Sequence, residues 1–311
     1  MAEQSGPSPA SRWTSRLAFF SAVLVVFAFL LHRLFGMPTP VAFNIVAAAY
    51  LCAIAALLTG VLAAAGIWRS GGSGTARVVS GLVISGAMLA GPLALLVLAR
   101  EHPPLNDIST DTASPPEYAE LAKLRTAGAN PASYRTEELA AVQKESFPDL
   151  ETMILPRPAE EAFEIVTEAV NRQRMSIVNS EPPGEGRNAP GLLEAIDRTL
   201  IAGFYDDVVI RVAGEEDRAL VDIRSSSRYG VYDFGRNADR VRGLMREIAA
   251  RLEANLPVAD GEAGKDGKKG DKPGLKSGKD DDQKRADRRK QRDRERSDSR
   301  RERKQRVPPP E

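Results

Sequence analysis

An α+β soluble domain preceded by a three-helix transmembrane region is the architecture that this 311-residue sequence predicts, on three observations. The first hundred residues contain three long uncharged apolar stretches. Beyond residue 150, several short runs alternate apolar and polar side chains with the two-residue period of strands. Two segments with apolar residues at helical spacing bracket most of those runs, which predicts the order β-α-β-β-β-β-α and an antiparallel sheet with helices on one face.

The uncharged stretches are Leu17 to Leu31, Val41 to Trp68 and Val78 to Ala99. Roughly 20 apolar residues cross a hydrocarbon core; the second and third stretches have that length, and the first attains it if His32 and Arg33 snorkel while Leu34 and Phe35 complete the span. Spans are expected at about 17–35, 41–67 and 78–99. Arg12 and Arg16 before the first resemble a signal peptide, but no A-x-A-like site follows and two more spans do, so an uncleaved anchor is expected. Arg12, Arg16, Arg69 and Arg77 put residues 1–16 and the second loop in the cytoplasm, and three crossings then carry the chain out after Ala99. In a bacterium the exit side of the inner membrane is the periplasm. The small residues Ala49, Ala53, Ala56, Gly60 and Ala64 line one face of the second span, for packing among these helices or for a homo-oligomer. Pro92 is expected to kink the third span. No Asp, Glu or Lys lies within a span, which argues against transport.

Residues 100–150 read as an extended lead-in, with helix potential at Glu117 to Lys123 and Thr136 to Lys144. The domain, 151–254, begins with a short strand at Met153 to Leu155, and Pro158 opens a helix with Ala162, Phe163, Val166 and Val170 on one face. Strands are expected at Met175 to Ser180, Leu192 to Leu200, Asp207 to Ala213 and Ala219 to Ser226, with turns at Pro182-Pro183-Gly184 and Gly214 to Asp217. Val208, Ile210 and Val212 share a face, as do Val221 and Ile223; Asp207, Arg211, Asp222 and Arg224 point the other way. The last helix is expected to start at an Asn237 N-cap and carries Val241, Leu244, Ile248 and Leu252.

The motifs Asp197-Arg198-Thr199, Gly203-Phe204-Tyr205-Asp206-Asp207 and Val221-Asp222-Ile223-Arg224-Ser225-Ser226-Ser227-Arg228 resemble the core of the domain of unknown function 1499 family. Gly230, Asp233, Gly235, Asn237-Ala238 and Arg240-Val241-Arg242 fit as well, as do the upstream Leu105-Asn106-Asp107-Ile108 and Pro148-Asp149-Leu150. The resemblance spans about residues 105–252, with a longer stretch than usual from Tyr118 to Tyr134. It implies envelope anchoring by lipid or membrane helices and carries no established activity.

Composition narrows the chemistry. The overall charge of +1 divides into +5 for residues 1–100, −10 for 101–256 and +6 for 257–311. Cys52 is the single cysteine and lies in a span; both histidines, His32 and His102, lie at span edges. The domain therefore has neither thiolate nor imidazole, which excludes Ser-His-Asp triads, Cys-His pairs and His-ligated zinc, and no metal or cofactor is expected. The polar sheet face is the best candidate ligand site: Asp197, Arg198, Thr199, Asp207, Arg211, Asp222 and Arg224 could converge from neighbouring strands, either as cross-strand ion pairs or as an Arg-lined surface for a carboxylate or phosphate. Ser225, Ser227, Arg228 and Asn237 could cradle an anion at a helix start. Asp197 and Asp222 could also face one another as a hydrolytic pair, which makes a carboxylate-dependent envelope hydrolase the alternative to non-enzymatic binding of a ligand or partner.

From 255 onward Gly, Lys, Asp and Arg dominate and no core can form, so a disordered tail is expected. Its 13 basic and 5 acidic residues between Gln283 and Arg306 would attract anionic lipid or envelope polymers. A nucleic-acid partner requires the inverted topology.

Overall fold

The computed structural model describes residues 8–184, 189–214 and 217–254. The turn residues 185–188 and 215–216 and the expected polyanion-binding tail lie outside the described residues.

Three helices, α1 (Pro9–Phe35), α2 (Thr39–Ser70) and α3 (Thr75–Ala99), are long and apolar enough to cross a membrane. Local chemistry sets their ends. The Ser8 hydroxyl accepts from the Ser11 amide at the start of α1, and Pro9 occupies the position whose missing N–H costs nothing. Gly36 and Gly71 adopt left-handed caps after α1 and α2. α3 runs as one helix through Pro92. Trp13 and Trp68 lie exposed at the same end of the α1–α2 hairpin, where indole suits a membrane–water boundary.

The small-residue stripe of α2 faces inward: Ala49, Ala53, Ala56 and Gly60 are buried, and Ala63 continues the row that the sequence suggested would pass to Ala64. The helices approach closely around Thr14. A Cβ on Gly81 would stand 2.5 Å from the Thr14 Cγ2 and 3.0 Å from its carbonyl carbon, and one on Gly60 would stand 2.6 Å from Leu82 Cδ2. Gly81→Val should therefore push α1 and α3 apart and cost about 1–3 kcal/mol, whereas Gly86→Val, with nothing within 4 Å, should be neutral. Thermal unfolding of the two variants in detergent checks this; equal melting would refute the close crossing.

After α3 come β1 (Asp107–Ser109), α4 (Glu120–Lys123), α5 (Thr136–Ser146), β2 (Met153–Leu155), α6 (Ala159–Arg172), β3 (Ser176–Glu181), β4 (Gly191–Arg198), β5 (Tyr205–Gly214), β6 (Ala219–Ser227) and α7 (Arg236–Ala254). The sheet is antiparallel in the order β1-β6-β5-β4-β3, and β2 pairs with the other half of β6. The predicted α+β class holds. Val208, Ile210, Val212, Val221 and Ile223 are buried in one core with Phe163, Val166 and Val170 of α6 and Val241, Leu244 and Ile248 of α7. Burying a side chain of this size contributes about 1.5–3 kcal/mol, so this face holds the domain together.

Two local readings change. The lead-in supplies a sixth strand, because Ile108 faces the core while Asp107 and Ser109 pair along β6. The cap of α7 is Asp233, whose carboxylate accepts from the Gly235 and Asn237 amides at 2.8 and 2.9 Å; Asn237 lies inside the helix.

Candidate functional site

Strand alternation sends Glu194, Asp207, Arg211, Asp222, Arg224 and Ser226 to the face away from α6 and α7. The sequence suggested an open polar surface there. Instead the lead-in folds over it: Tyr118 and Leu121 pack on Val209 with Leu192, Ile196 and Ala132. Arg224 is fully buried beneath this cover. Its Nε and Nη2 donate to the two Asp107 oxygens at 2.9 and 2.7 Å, and Nη1 and Nη2 donate to the Pro116 and Ala132 carbonyls. The guanidinium lies 4.6 Å from the Tyr118 ring centre and 5.4 Å from that of Tyr134. Burial pushes the Asp107 carboxyl upward against the pull of Arg224. Burial pulls the Arg224 guanidinium down, and the bond and charge of Asp107 more than offset it, so the cation is held. Burial, reinforced by the Asp107 charge, raises both tyrosine phenols.

Three further groups tie the cover down. Asp207, buried, accepts from Arg125 Nε at 3.0 Å and from Arg228 Nε and Nη2 at 2.8 and 2.7 Å. Glu194, also buried, accepts from the amides of Ala119, Glu120 and Leu121. Arg211 donates to Asp222 at 2.7 Å and to Asp111 at 3.0 Å, and the Thr152 hydroxyl donates to Asp222 at 2.6 Å.

The helix-covered face carries a second cluster at the end of the sheet nearest the membrane helices. Arg240 of α7 donates to Asp197 at 2.8 Å, Asp206 at 2.6 Å, Asn237 Oδ1 at 2.6 Å and the Ser225 hydroxyl at 3.0 Å. Asn237 in turn donates to the Ser227 hydroxyl and the Asn106 carbonyl. Burial raises the Asp233 carboxyl despite its amide bonds.

The predicted site residues thus divide among three places. Asp197, Ser225, Ser227 and Asn237 lie under α7. Asp207, Arg211, Asp222, Arg224 and Arg228 lie under the lead-in. Asp197 and Asp222 are on opposite faces, so they form no hydrolytic pair. The anion cradle at α7 fails for an electrostatic reason: the Asp233 carboxylate already occupies that helix start. Among the described residues no group of three His, Cys, Asp or Glu could hold a metal.

Arg198 and Thr199 belong to the third place, the seam with the membrane helices. The Thr199 hydroxyl accepts from the Phe204 amide and closes the β4–β5 turn. Arg198 donates to the Arg33 carbonyl at 2.8 Å, where the last turn of α1 leaves acceptors free and a cation is favoured. The His32 ring hydrogen-bonds the Ala202 carbonyl through Nδ1 and the Thr39 hydroxyl through Nε2. Phe204 packs on His32 and Phe43 at ring distances of 5.3 and 5.7 Å. Sequence reading missed Asp107, Tyr118, Arg125, Arg240 and His32 as members of these clusters. Only Asp107 and Arg240 carried a signal, as charged residues within the family motifs.

Geometry and content together define a class, an α+β domain fastened by its own side chains to three membrane-length helices. Residues 107–248 match the family model described as "Protein of unknown function (DUF1499)", the family that the sequence motifs resemble. Solved structures to which the chain is similar include TTHA0849 from Thermus thermophilus, at 10% identity over 34% of this chain and 97% of that one, with a TM-score of 0.19. CalU16 from Micromonospora echinospora follows at 14% identity over 33% and 82% with a TM-score of 0.20, and Ara h 8.0201 at 13% over 34% and 96% with 0.19. No curated protein matches the chain.

Proposed function

We propose that this is an envelope protein of a bacterial inner membrane whose domain, on the periplasmic side, binds a ligand or partner without converting it. One observation carries the reading: four aspartates of the sheet are each tied up by an arginine. Asp197, Asp206, Asp207 and Asp222 each accept from arginine. Carboxylate oxygens already taken up by guanidinium donors are not free to reach a substrate proton. The positive-inside asymmetry of Arg12, Arg16, Arg69 and Arg77 supports the orientation.

The full chain in lipid nanodiscs should show no turnover above blank with ester, phosphoester and glycoside substrates. A rate that disappears in Asp197→Ala or Asp222→Ala would overturn the non-enzymatic reading. For the orientation, alkaline phosphatase fused after Glu311 should be active; a fusion that fluoresces only as a cytoplasmic reporter ends the periplasmic placement.

A further inference from the structure

A pocket of about 210 Å³ lies at the seam. Its walls are His32, Met37 and Thr39 from the ends of α1 and α2, with Leu124, Tyr205 and Arg228 from the domain. Two features bear on what it holds.

The first is charge. Arg125 and Arg228 share the single carboxylate of Asp207. Arg198 gives its bonds to the Gly203 and Arg33 carbonyls. Among the described residues no carboxylate pairs with Arg198 or with Arg33, whose Cδ would stand 2.9 Å from a Cβ on Gly203. Arg198 and Arg228 lie 5.3 and 5.6 Å from the same ring, that of Tyr205, which lines the pocket. Arg228 lines the pocket, Arg198 stacks on its Tyr205 wall and Arg33 adjoins Gly203, while Asp197 and Asp206 at this end of the sheet are taken up by Arg240; the uncompensated guanidiniums of Arg198 and Arg33 favour an anion. A guanidinium fork matches phosphate oxygens best.

The second is depth. Leu34 and Phe35, which end α1, are 67% and 77% exposed. Leu200 and Ile201 are 83% and 75% exposed beside Ala202, the residue that holds His32. Val231 and Tyr232 are exposed beside Phe234, which packs on His102 just past α3. Apolar side chains clustered around the ends of membrane helices suit the interfacial layer of a bilayer and not open water. The pocket, lined by His32, Gly36, Met37 and Thr39, lies at the same helix ends.

We propose that the seam pocket takes the phosphate of an anionic phospholipid headgroup from the leaflet beneath the domain. The proposal rests on the binding reading above and names its ligand class. Anionic lipid is favoured over zwitterionic because choline would add a cation to a site already in excess.

The test is native mass spectrometry of the delipidated full chain in detergent, titrated with phosphatidylglycerol, phosphatidylcholine or inorganic phosphate. One phosphatidylglycerol per chain should be retained, and phosphatidylcholine should bind about tenfold more weakly. Arg33→Gln, which removes a cation, and Leu124→Trp, which fills the pocket, should each lower retention with melting unchanged. Arg228 is left intact because it also holds Asp207. Equal retention of the two lipids overturns the proposal, as does phosphatidylglycerol retention unaffected by both variants while each still melts like the parent. Inorganic phosphate that binds where phosphatidylglycerol does not overturns the lipid source. Loss of lipid binding without turnover sinks only this proposal, whereas hydrolysis of the bound lipid would sink the non-enzymatic reading as well.

Discussion

Arg224→Met is expected to destabilise the domain by about 3–5 kcal/mol, a large share of its stability, because it strands the buried Asp107 carboxylate without its partner. A domain of this kind has about 5–15 kcal/mol in all. The substitution also removes the donors to the Pro116 and Ala132 carbonyls that hold the lead-in against the sheet. From sequence alone the expectation is the reverse, that truncating Arg224 leaves the domain folded and alters only binding; full burial of the side chain corrects it. Removing both charges should hurt less than removing one, since Asp107→Leu with Arg224→Met leaves no buried ion behind. Chemical denaturation of the full chain in detergent, followed by near-ultraviolet circular dichroism, gives both midpoints. An unchanged midpoint for the single variant would mean that the ion pair contributes nothing and that the cover is held by Tyr118 and Leu121 packing.

That reversal locates what sequence could and could not convey. Alternation in β5 and β6 conveyed which residues face the helices, because the period of two is local and the apolar side is unambiguous. The helical stripes of α6 and α7 and the three membrane-length runs were legible for the same reason. The opposite face was not, since alternating Asp and Arg read the same whether they face water or a cover that neutralises them. The cover comes from far away in sequence: Arg224 meets Asp107, Asp207 meets Arg125, and His32 meets Ala202, at separations of 117, 82 and 170 residues. Periodicity says nothing about partners at such distances. Family resemblance did mark Asp107 and Arg240 as motif residues, without saying what they touch. Tyr118 and Arg125 fell in the stretch that departs from the family's usual length, where neither route helps.

Leu244→Asp is expected to abolish folding of the domain, whereas Leu220→Asp should change its stability by no more than about 0.5 kcal/mol. Leu244 lies fully buried on α7 in the core that includes Val221 and Ile223. Its replacement forfeits about 1.5–3 kcal/mol of apolar burial and puts an unpaired carboxylate where water cannot reach, so the combined penalty rivals the whole stability. Leu220 precedes Val221 on β6 and therefore points to the other face, at the end of the sheet remote from the membrane helices, where it is 42% exposed and the lead-in does not cover it. The pair also tests the strand register, since slipping β6 by one residue would exchange the two faces. Amide hydrogen exchange of the full chain in detergent reads both variants: β4, β5 and β6 should lose protection in Leu244→Asp and keep it in Leu220→Asp. Protection lost in the second variant but kept in the first would place the core on the wrong side of the sheet.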